Sequence, residues 1–386
     1  MREKVCIGDL GTIITGKTPS KTNKSYYGNY VAFIKPTDIS EDSKFTYETE
    51  EMYSKLAAEK YKSSLIPKGA ICIPCIGTIG TKMTMTHCAC YTNQSINTII
   101  CNENYDNEYV YYLMKNFLPN LKSYNLGTAS GREFISKSNF EKIEIVVEQN
   151  KNIQKEIGKF LSRYDSLIEN YQKQIKLLEE SAQRLYKEWF IDLRFPGHKN
   201  TKIVDGVPEG WEKKKVGDLI SKVRRTKQVS ANNYLNSGCI PVIDQSRNYI
   251  AGYTNDIESL VKVTIPYIVF GDHTRVLKYV PFSFAKGADG TQLIMSNDLE
   301  RMPQSLFYNS LIEIDLSNYS YARHFKYLKE ESILVPSKDI AERYDKVVSQ
   351  YFQSIQKSRD QIRHLTEARD RMLPKLMNGE IEVKIQ

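Results

Sequence analysis

The longest regular pattern in the chain runs from Lys151 to Phe190. Apolar residues or tyrosines at Ile157, Leu161, Tyr164, Ile168, Tyr171, Ile175, Leu178, Ala182, Leu185 and Trp189 are spaced alternately by four and three. That spacing is a heptad seam, and it predicts one long helix with a partner along its apolar stripe. Moving every position 187 residues on gives Tyr344, Val348, Tyr351, Ile355, Ser358, Ile362, Leu365, Arg369, Met372 and Leu376, the same register with only Ser358 and Arg369 polar. Two such helices at a fixed offset are the mark of a duplicated unit. Over the seam each would be roughly 50 Å long.

The ends of the helices and the segments before them complete the plan. Phe195-Pro196-Gly197 stops the first helix, because proline cannot continue it. The polar residues 195–209 read as a linker, and Pro374 predicts a kink or break near Leu373 before an Asn378-Gly379 stop. Residues 1–149 and 210–336 hold short runs rich in Ile, Val, Tyr and Phe: Tyr30 to Lys35, Ala70 to Pro74, Ser95 to Cys101, Ile240 to Asp244 and Thr264 to Phe270. These predict strands, with a short helix around Tyr109 to Phe117. The expected fold is mixed α/β (α+β): two globular domains, 1–149 and 210–336, and two long spacer helices, 150–194 and 337–386. KVCIGDLGTIITGK near residue 4 and KKVGDLISKVRRTK near residue 214 carry the repeat weakly into the domains.

Composition narrows the class of protein. With 386 residues, 41% hydrophobic and 26% charged, the chain suits two or three ordinary globular domains. No stretch reaches the length of a membrane span, and the amino terminus lacks the apolar core of a signal peptide, so a cytoplasmic protein is expected. Seven cysteines, an odd number crowded mostly into the first third, argue for reduced thiols. The net charge of +8 falls mostly in the second half, and its densest run is Lys213, Lys214, Lys215, Lys222, Arg224, Arg225 and Lys227 against Glu212 and Asp218. Such a run is either a solvated face or a nucleic-acid contact.

Catalytic signatures are few. One stretch, GTIITGKT (Gly11 to Thr18), has the GxxxxGK[ST] spacing of a phosphate loop, while no GxGxxG opens a helix after a strand and no Asn/Asp-Pro-Pro-aromatic loop is present for a target base. Cys72 and Cys75 have CxxC spacing, and His87, Cys88 and Cys90 follow, but Cys72-Ile-Pro-Cys75 lies in an apolar strand-like run whose alternate residues face opposite sides. Buried thiols are the expected reading over a zinc site. The five histidines, 87, 198, 273, 324 and 364, form no nucleophile–base arrangement. No catalytic or metal-ligating residue and no cofactor is therefore expected on this chain.

Particular residues carry a family resemblance. IVVEQNKNIQKEI and QRLYKEWFIDLRFPG at the two ends of the first helix, VPEGWEKKKVGDL opening the second half and the terminal LPKLMNGEIEV resemble the specificity subunits of type I restriction-modification systems. GKTPS (Gly16 to Ser20), YYGNYVAFIKPTDI (Tyr26 to Ile39), GTIGTKM (Gly77 to Met83), TNQSIN (Thr92 to Asn97), IVFGDHTR (Ile268 to Arg275) and FAKGADGTQL (Phe284 to Leu293) are similar to that family's target-recognition domains. The resemblance implies two recognition domains separated by two antiparallel coiled-coil helices with internal pseudo-two-fold symmetry. Each domain would read half of a bipartite double-stranded DNA target, and the helices would dock a pair of methyltransferase (modification) subunits, with a restriction subunit as a further partner. S-adenosylmethionine, ATP and magnesium would then belong to those partners, with no role for a membrane. A roughly 50 Å spacer suits half-sites about one helical turn apart.

Bases are read by paired donors and acceptors, so Arg, Lys, Asn and Gln in loops beside small residues are the candidates. In the first domain these are Lys17, Thr18, Lys35, Thr37, Thr78, Lys82, Asn93, Gln94, Ser130 and Arg132. In the second they are Arg224, Arg225, Lys227, Gln245, Ser246, Arg247, His273, Thr274, Arg275 and Arg323. Asn93-Gln94 and Asp289-Gly290 also suit tight turns. Two rival readings of the whole chain are a coiled-coil protein adaptor and a metal-dependent enzyme built on the cysteines.

Overall fold

The computed structural model describes residues 2–125, 127, 133–224, 226–319 and 323–384. Its α-helices are α1 (Lys55–Lys60), α2 (Asn107–Phe117), α3 (Lys137–Glu141), α4 (Lys151–Tyr186), α5 (Gln304–Ile312), α6 (His324–Glu330) and α7 (Lys338–Asn378). The chain divides into two compact units, Met1–Gln172 with Gln361–Gln386, and Lys173–Asp360. The division falls inside α4 and α7, so each unit owns a stretch of both long helices as well as a globular part. No described helix is long and apolar enough to cross a membrane.

In the first unit Tyr27–Ile34 pairs antiparallel with Glu51–Tyr53 and parallel with Tyr91–Thr92. A second sheet orders Gly11–Thr15, Ile96–Cys101, Ile71–Pro74 and Thr84–Met85, all antiparallel. Arg2–Cys6 pairs with Glu144–Glu148, the strand that leads into α4. Asp106 caps α2 by accepting from the Tyr109 amide at 3.0 Å, and α2 buries Tyr109, Val110, Tyr111, Tyr112, Leu113 and Met114. They share a core with Ile71, Ile73 and Ile99 of the sheet, Ile157 and Leu161 of α4, and Leu373, Leu376 and Met377 of α7.

The second unit repeats this plan. Ile240–Ile243 pairs antiparallel with Gly252–Thr254 and parallel with Phe284–Lys286. Tyr267–Gly271 lies between Leu277–Val280 and Thr291–Ile294. Glu212–Lys215 pairs with Ser332–Val335, the strand that leads into α7. The duplication read from the helices thus extends into both sheets: the shared strands keep their order and direction, while the second unit adds Leu260–Val261 beside Phe284–Lys286 and has the single bridge Ile220–Ser296 at the place of Gly11–Thr15.

Both seams are inward. Ile157, Leu161, Ile168 and Ala182 are buried on α4, with Tyr164, Tyr171, Ile175, Leu178, Leu185 and Trp189 half-buried. On α7, Tyr344, Val348, Ile355 and Leu376 are buried, and Tyr351, Ile362, Leu365 and Met372 half-buried. The pairing is antiparallel: in the second unit Tyr344 donates to the Ala182 carbonyl at 3.3 Å while Arg359 meets Glu179 at 3.0 Å.

Three local expectations change. Helix α7 does not break at Leu373 but runs through Pro374 to Asn378, because Leu373, Leu376 and Met377 are buried in the first unit's core and packing outweighs one lost backbone bond. It ends at Gly379, whose φ is +77°, and Arg2 donates to the Leu376 carbonyl at 2.9 Å. Helix α4 finishes in a π-helical turn over Lys187–Ile191, which turns Phe190 inward against Trp211 and Tyr344. Residues 195–209, expected to be a linker, hold a hairpin of Ile203–Val204 with Val207–Pro208, and buried Phe195 packs tilted against Trp211, ring centroids 4.7 Å apart.

Candidate nucleic-acid interface

In the first unit the loops that carry the predicted residues meet where the sheet strands end. The Lys17 amide donates to the Thr92 carbonyl at 3.0 Å, the Asn93 amide to Ile34 at 3.1 Å, and the Cys75 amide to Ser95 at 2.7 Å. Those three bonds bring together the loops after Thr15, Ile34, Pro74 and Thr92. A Cβ on Gly16 would sit 2.1 Å from the Thr92 carbonyl oxygen, so this close crossing requires glycine. Tyr27 donates to the Pro19 carbonyl at 2.9 Å, and Tyr53 holds the Lys17 carbonyl.

Within that cluster Lys17, Thr37, Thr78 and Gln94 are exposed and Thr18, Lys35, Lys82 and Asn93 half-buried. Thr18 donates to the Gln94 side chain, and Asn93 accepts from the Ser95 amide at 3.1 Å, closing its own turn. Lys35 is paired with Glu50 at 2.7 Å and Glu51 at 3.2 Å. Burial alone would favour its neutral form, but the two glutamates outweigh it and keep the amine protonated above the usual lysine range. Its charge is already balanced, so Lys17 is the lysine of this group with most freedom to meet a phosphate. Ser130 and Arg132 lie outside the described residues.

The second unit assembles its loops around one side chain. The Gln245 amide nitrogen donates to the Asp289 carbonyl at 3.0 Å and its oxygen accepts from the His273 amide at 3.1 Å, while Thr274 donates to the Gln245 carbonyl at 2.6 Å. Three loops, 244–248, 272–275 and 287–290, are joined by those bonds. Gly290 sits at φ +80°, and a Cβ there would crowd the Gln245 amide at 2.8 Å. Ser246 is folded back onto Asp244 at 2.6 Å. Gln245, Ser246 and Thr274 therefore spend their hydrogen bonds inside the loop cluster. Arg247, His273, Arg275 and Arg323 are exposed around it, with Arg275 held at φ 62° while donating to the Leu316 carbonyl at 3.2 Å.

The basic run splits by role. Lys213, Lys214 and Lys215 belong to the strand paired with Ser332–Val335, with Lys214 paired to Glu212 at 2.9 Å and Lys215 to Glu330 at 2.7 Å. Lys227 is paired with Asp256 at 2.8 Å and Glu258 at 3.2 Å. Arg224 is exposed, and Arg225 lies outside the described residues.

Three supporting residues escaped sequence reasoning. Lys278 is buried and donates to the Asp244 carbonyl at 2.8 Å and to the Asn248 carbonyl, tying both ends of one loop. Burial pushes its amine down to about 8, partly offset by Asp244. Buried Asp272 accepts from the Phe325 amide at 2.8 Å, and both ring nitrogens of His324 face carbonyl oxygens, of Asp272 at 2.9 Å and Tyr319 at 2.7 Å. Only the charge of Lys278 in the otherwise apolar strand LKYV hinted at any of this. The cysteines face apart as alternation requires, Cys72 in a cluster with Ile34, Ile66 and Ile96 and Cys75 in the main core. Burial pushes both thiols up to about 12, which suits packing rather than ligation or attack. No group of His, Cys, Asp and Glu among the described residues is arranged to hold a metal ion.

The chain is similar to known proteins. Residues 2–180 match the model of the type I restriction modification DNA specificity domain. Over 98% of its length the chain is 28% identical to the MjaIX type I restriction enzyme specificity subunit of Methanocaldococcus jannaschii, of which it covers 93%. It is 34% identical over 180 residues, 46% of this chain and 38% of that one, to the HindI specificity subunit of Haemophilus influenzae. The fold is that of a type I S subunit from M. genitalium, with a TM-score of 0.59 at 17% identity over 98% of this chain and 96% of that one. Along nearly its whole length the chain is thus similar to type I restriction-modification specificity subunits.

Proposed function

We propose that each unit reads one half of a split duplex sequence. The carrying observation is that, in both units, loops leaving the ends of the sheet strands are latched together and surrounded by exposed donors: Lys17, Thr78 and Gln94 in one, Arg247, His273, Arg275 and Arg323 in the other. Rigid loops bearing such side chains suit base edges and phosphates. The outer faces of α4 and α7 are assigned to a pair of modification subunits, with a restriction subunit as a further partner. Methyl transfer and cleavage, with their S-adenosylmethionine, ATP and magnesium, fall to those partners. In support of a non-catalytic chain, the Cys72 and Cys75 thiols and the His324 ring are occupied in packing and in bracing loops.

The test is a methylation map of cells carrying this chain with its modification subunit. One split motif is expected, absent when the gene is deleted. Replacing residues 1–149 by the corresponding domain of a relative should change one half of the motif and leave the other. A change in both halves would overturn the division of labour, and methylation without any sequence preference would overturn the reading itself.

A further inference from the structure

The two seams are nearly alike, and that likeness creates a problem of partner choice. Most positions that are apolar on α4 are apolar on α7, so the stripes alone favour an α4–α4 or α7–α7 pair between two copies almost as well as the α4–α7 pair within one chain. Two seam positions break the likeness, Ser358 against Tyr171 and Arg369 against Ala182, and only the second brings a charge. In the first unit Arg369 of α7 meets Asp165 of α4 at 2.5 Å, with side-chain exposures of 9% and 8%. Tyr112 of α2 donates to the other Asp165 oxygen at 2.5 Å, and Arg369 also holds Asp370 at 2.8 Å.

Across the 187-residue repeat that separates the starts of α4 and α7, Asp165 corresponds to Phe352 and Arg369 to Ala182. Those two lie in the second unit's apolar core, 7% and 1% exposed, with Phe352 stacked at 4.2 Å on Tyr279. The pairing seen here therefore matches charge with charge at one place and apolar with apolar at its counterpart. An antiparallel α4–α4 pair in the same register would set Asp165 opposite Ala182 of the second copy, twice. An α7–α7 pair would set Arg369 opposite Phe352, also twice. Either arrangement buries two charges without the partner from the facing helix, leaving Asp165 to Tyr112 and Arg369 to Asp370 alone, and a buried charge that loses its main partner is strongly unfavourable.

We infer that the Asp165–Arg369 pair is a partner-selection device that makes α4 accept α7 and reject a second copy of α4. Its worth lies in discrimination rather than stability, since a well-packed apolar pair in its place would hold the helices together as well or better. The inference does not rest on the DNA-reading proposal, and its test needs no DNA.

The experiment uses the full chain with exposed Cys88 and Cys239 changed to serine and a reporter, Gln174→Cys, placed near the point where two α4 helices would face each other. Protein is refolded from urea over a range of concentrations, oxidised, and run without reductant. The parent should give little cross-linked dimer. Asp165→Leu with Arg369→Leu should fold and raise the cross-linked fraction about tenfold or more, increasing with concentration. The reversed pair, Asp165→Arg with Arg369→Asp, should return it to the parent level. If the leucine pair melts without a cooperative transition, Asp165→Asn with Arg369→Gln takes its place under the same expectations. A folded neutral pair that stays at the parent level, or a reversed pair that cross-links as the neutral one does, overturns the inference.

Discussion

Single side chains in the reading surface divide into those that point outward and those that hold the others. Gln245 belongs to the second kind, because its amide joins two other loops and leaves little to offer a base. Gln245→Ala is expected to cost about 1–2 kcal/mol of stability and to relax the methylated motif in one half only, read from a methylation map. Lys17→Ala should leave stability unchanged and lower the salt slope of duplex binding by about one, the signature of one lost phosphate contact. Glu212 shows how a residue from the basic run serves the fold instead. Arg301 and Lys214 hold its carboxyl down to about 2 from 4.5, and Arg301 also donates to the Pro336 carbonyl at 2.9 Å. Because the folded value lies below the unfolded one, this contribution is complete above pH 4.5 and lost as the pH falls toward 2. Glu212→Gln should therefore lower the urea midpoint at neutral pH, with the difference from the parent closing near pH 2.

At the scale of elements, the seam on α4 separates two kinds of leucine. Leu161 is fully buried in the first unit's core, whereas Leu177, outside the seam, is 63% exposed. Leu161→Ala should cost about 2–4 kcal/mol and Leu177→Ala less than about 0.5 kcal/mol in chemical denaturation. Periodicity made this distinction legible along the sequence, as it did the starts of both helices, expected at 150 and 337 and found at Lys151 and Lys338, and the strand runs. It allowed a break at Pro374 that does not occur and read residues 195–209 as a linker only, since local rules carry no term for the apolar core that holds Leu373 and Leu376 or for the packing of Phe195 against Trp211.

For the whole molecule, the two largest apolar cores fall one in each unit, as a chain long enough for two or three domains allows. Calorimetry should accordingly resolve more than one transition. Leu161→Ala should lower the transition of the first unit, and Val348→Ala, in the second core, that of the other. A single transition moved equally by both would count against independent cores.

What the sequence determined by itself is everything that repeats at short range: two long helices in one register, the duplicated plan and the strands. Lys17, Asn93, Gln94, Gln245 and His273, singled out by residue type, all lie in the converging loops. Only the tertiary structure decided which of those side chains are spent on each other. That distinction depends on hydrogen bonds between residues far apart in the chain, such as Gln245 with Asp289 or Lys35 with Glu50. It also explained the two polar seam residues, left open by the heptad pattern: Arg369 is balanced by Asp165, and Ser358 lies 3.5 Å from Gln174. A pattern read along one helix records where a polar residue falls, but its partner is set by the element that packs across from it.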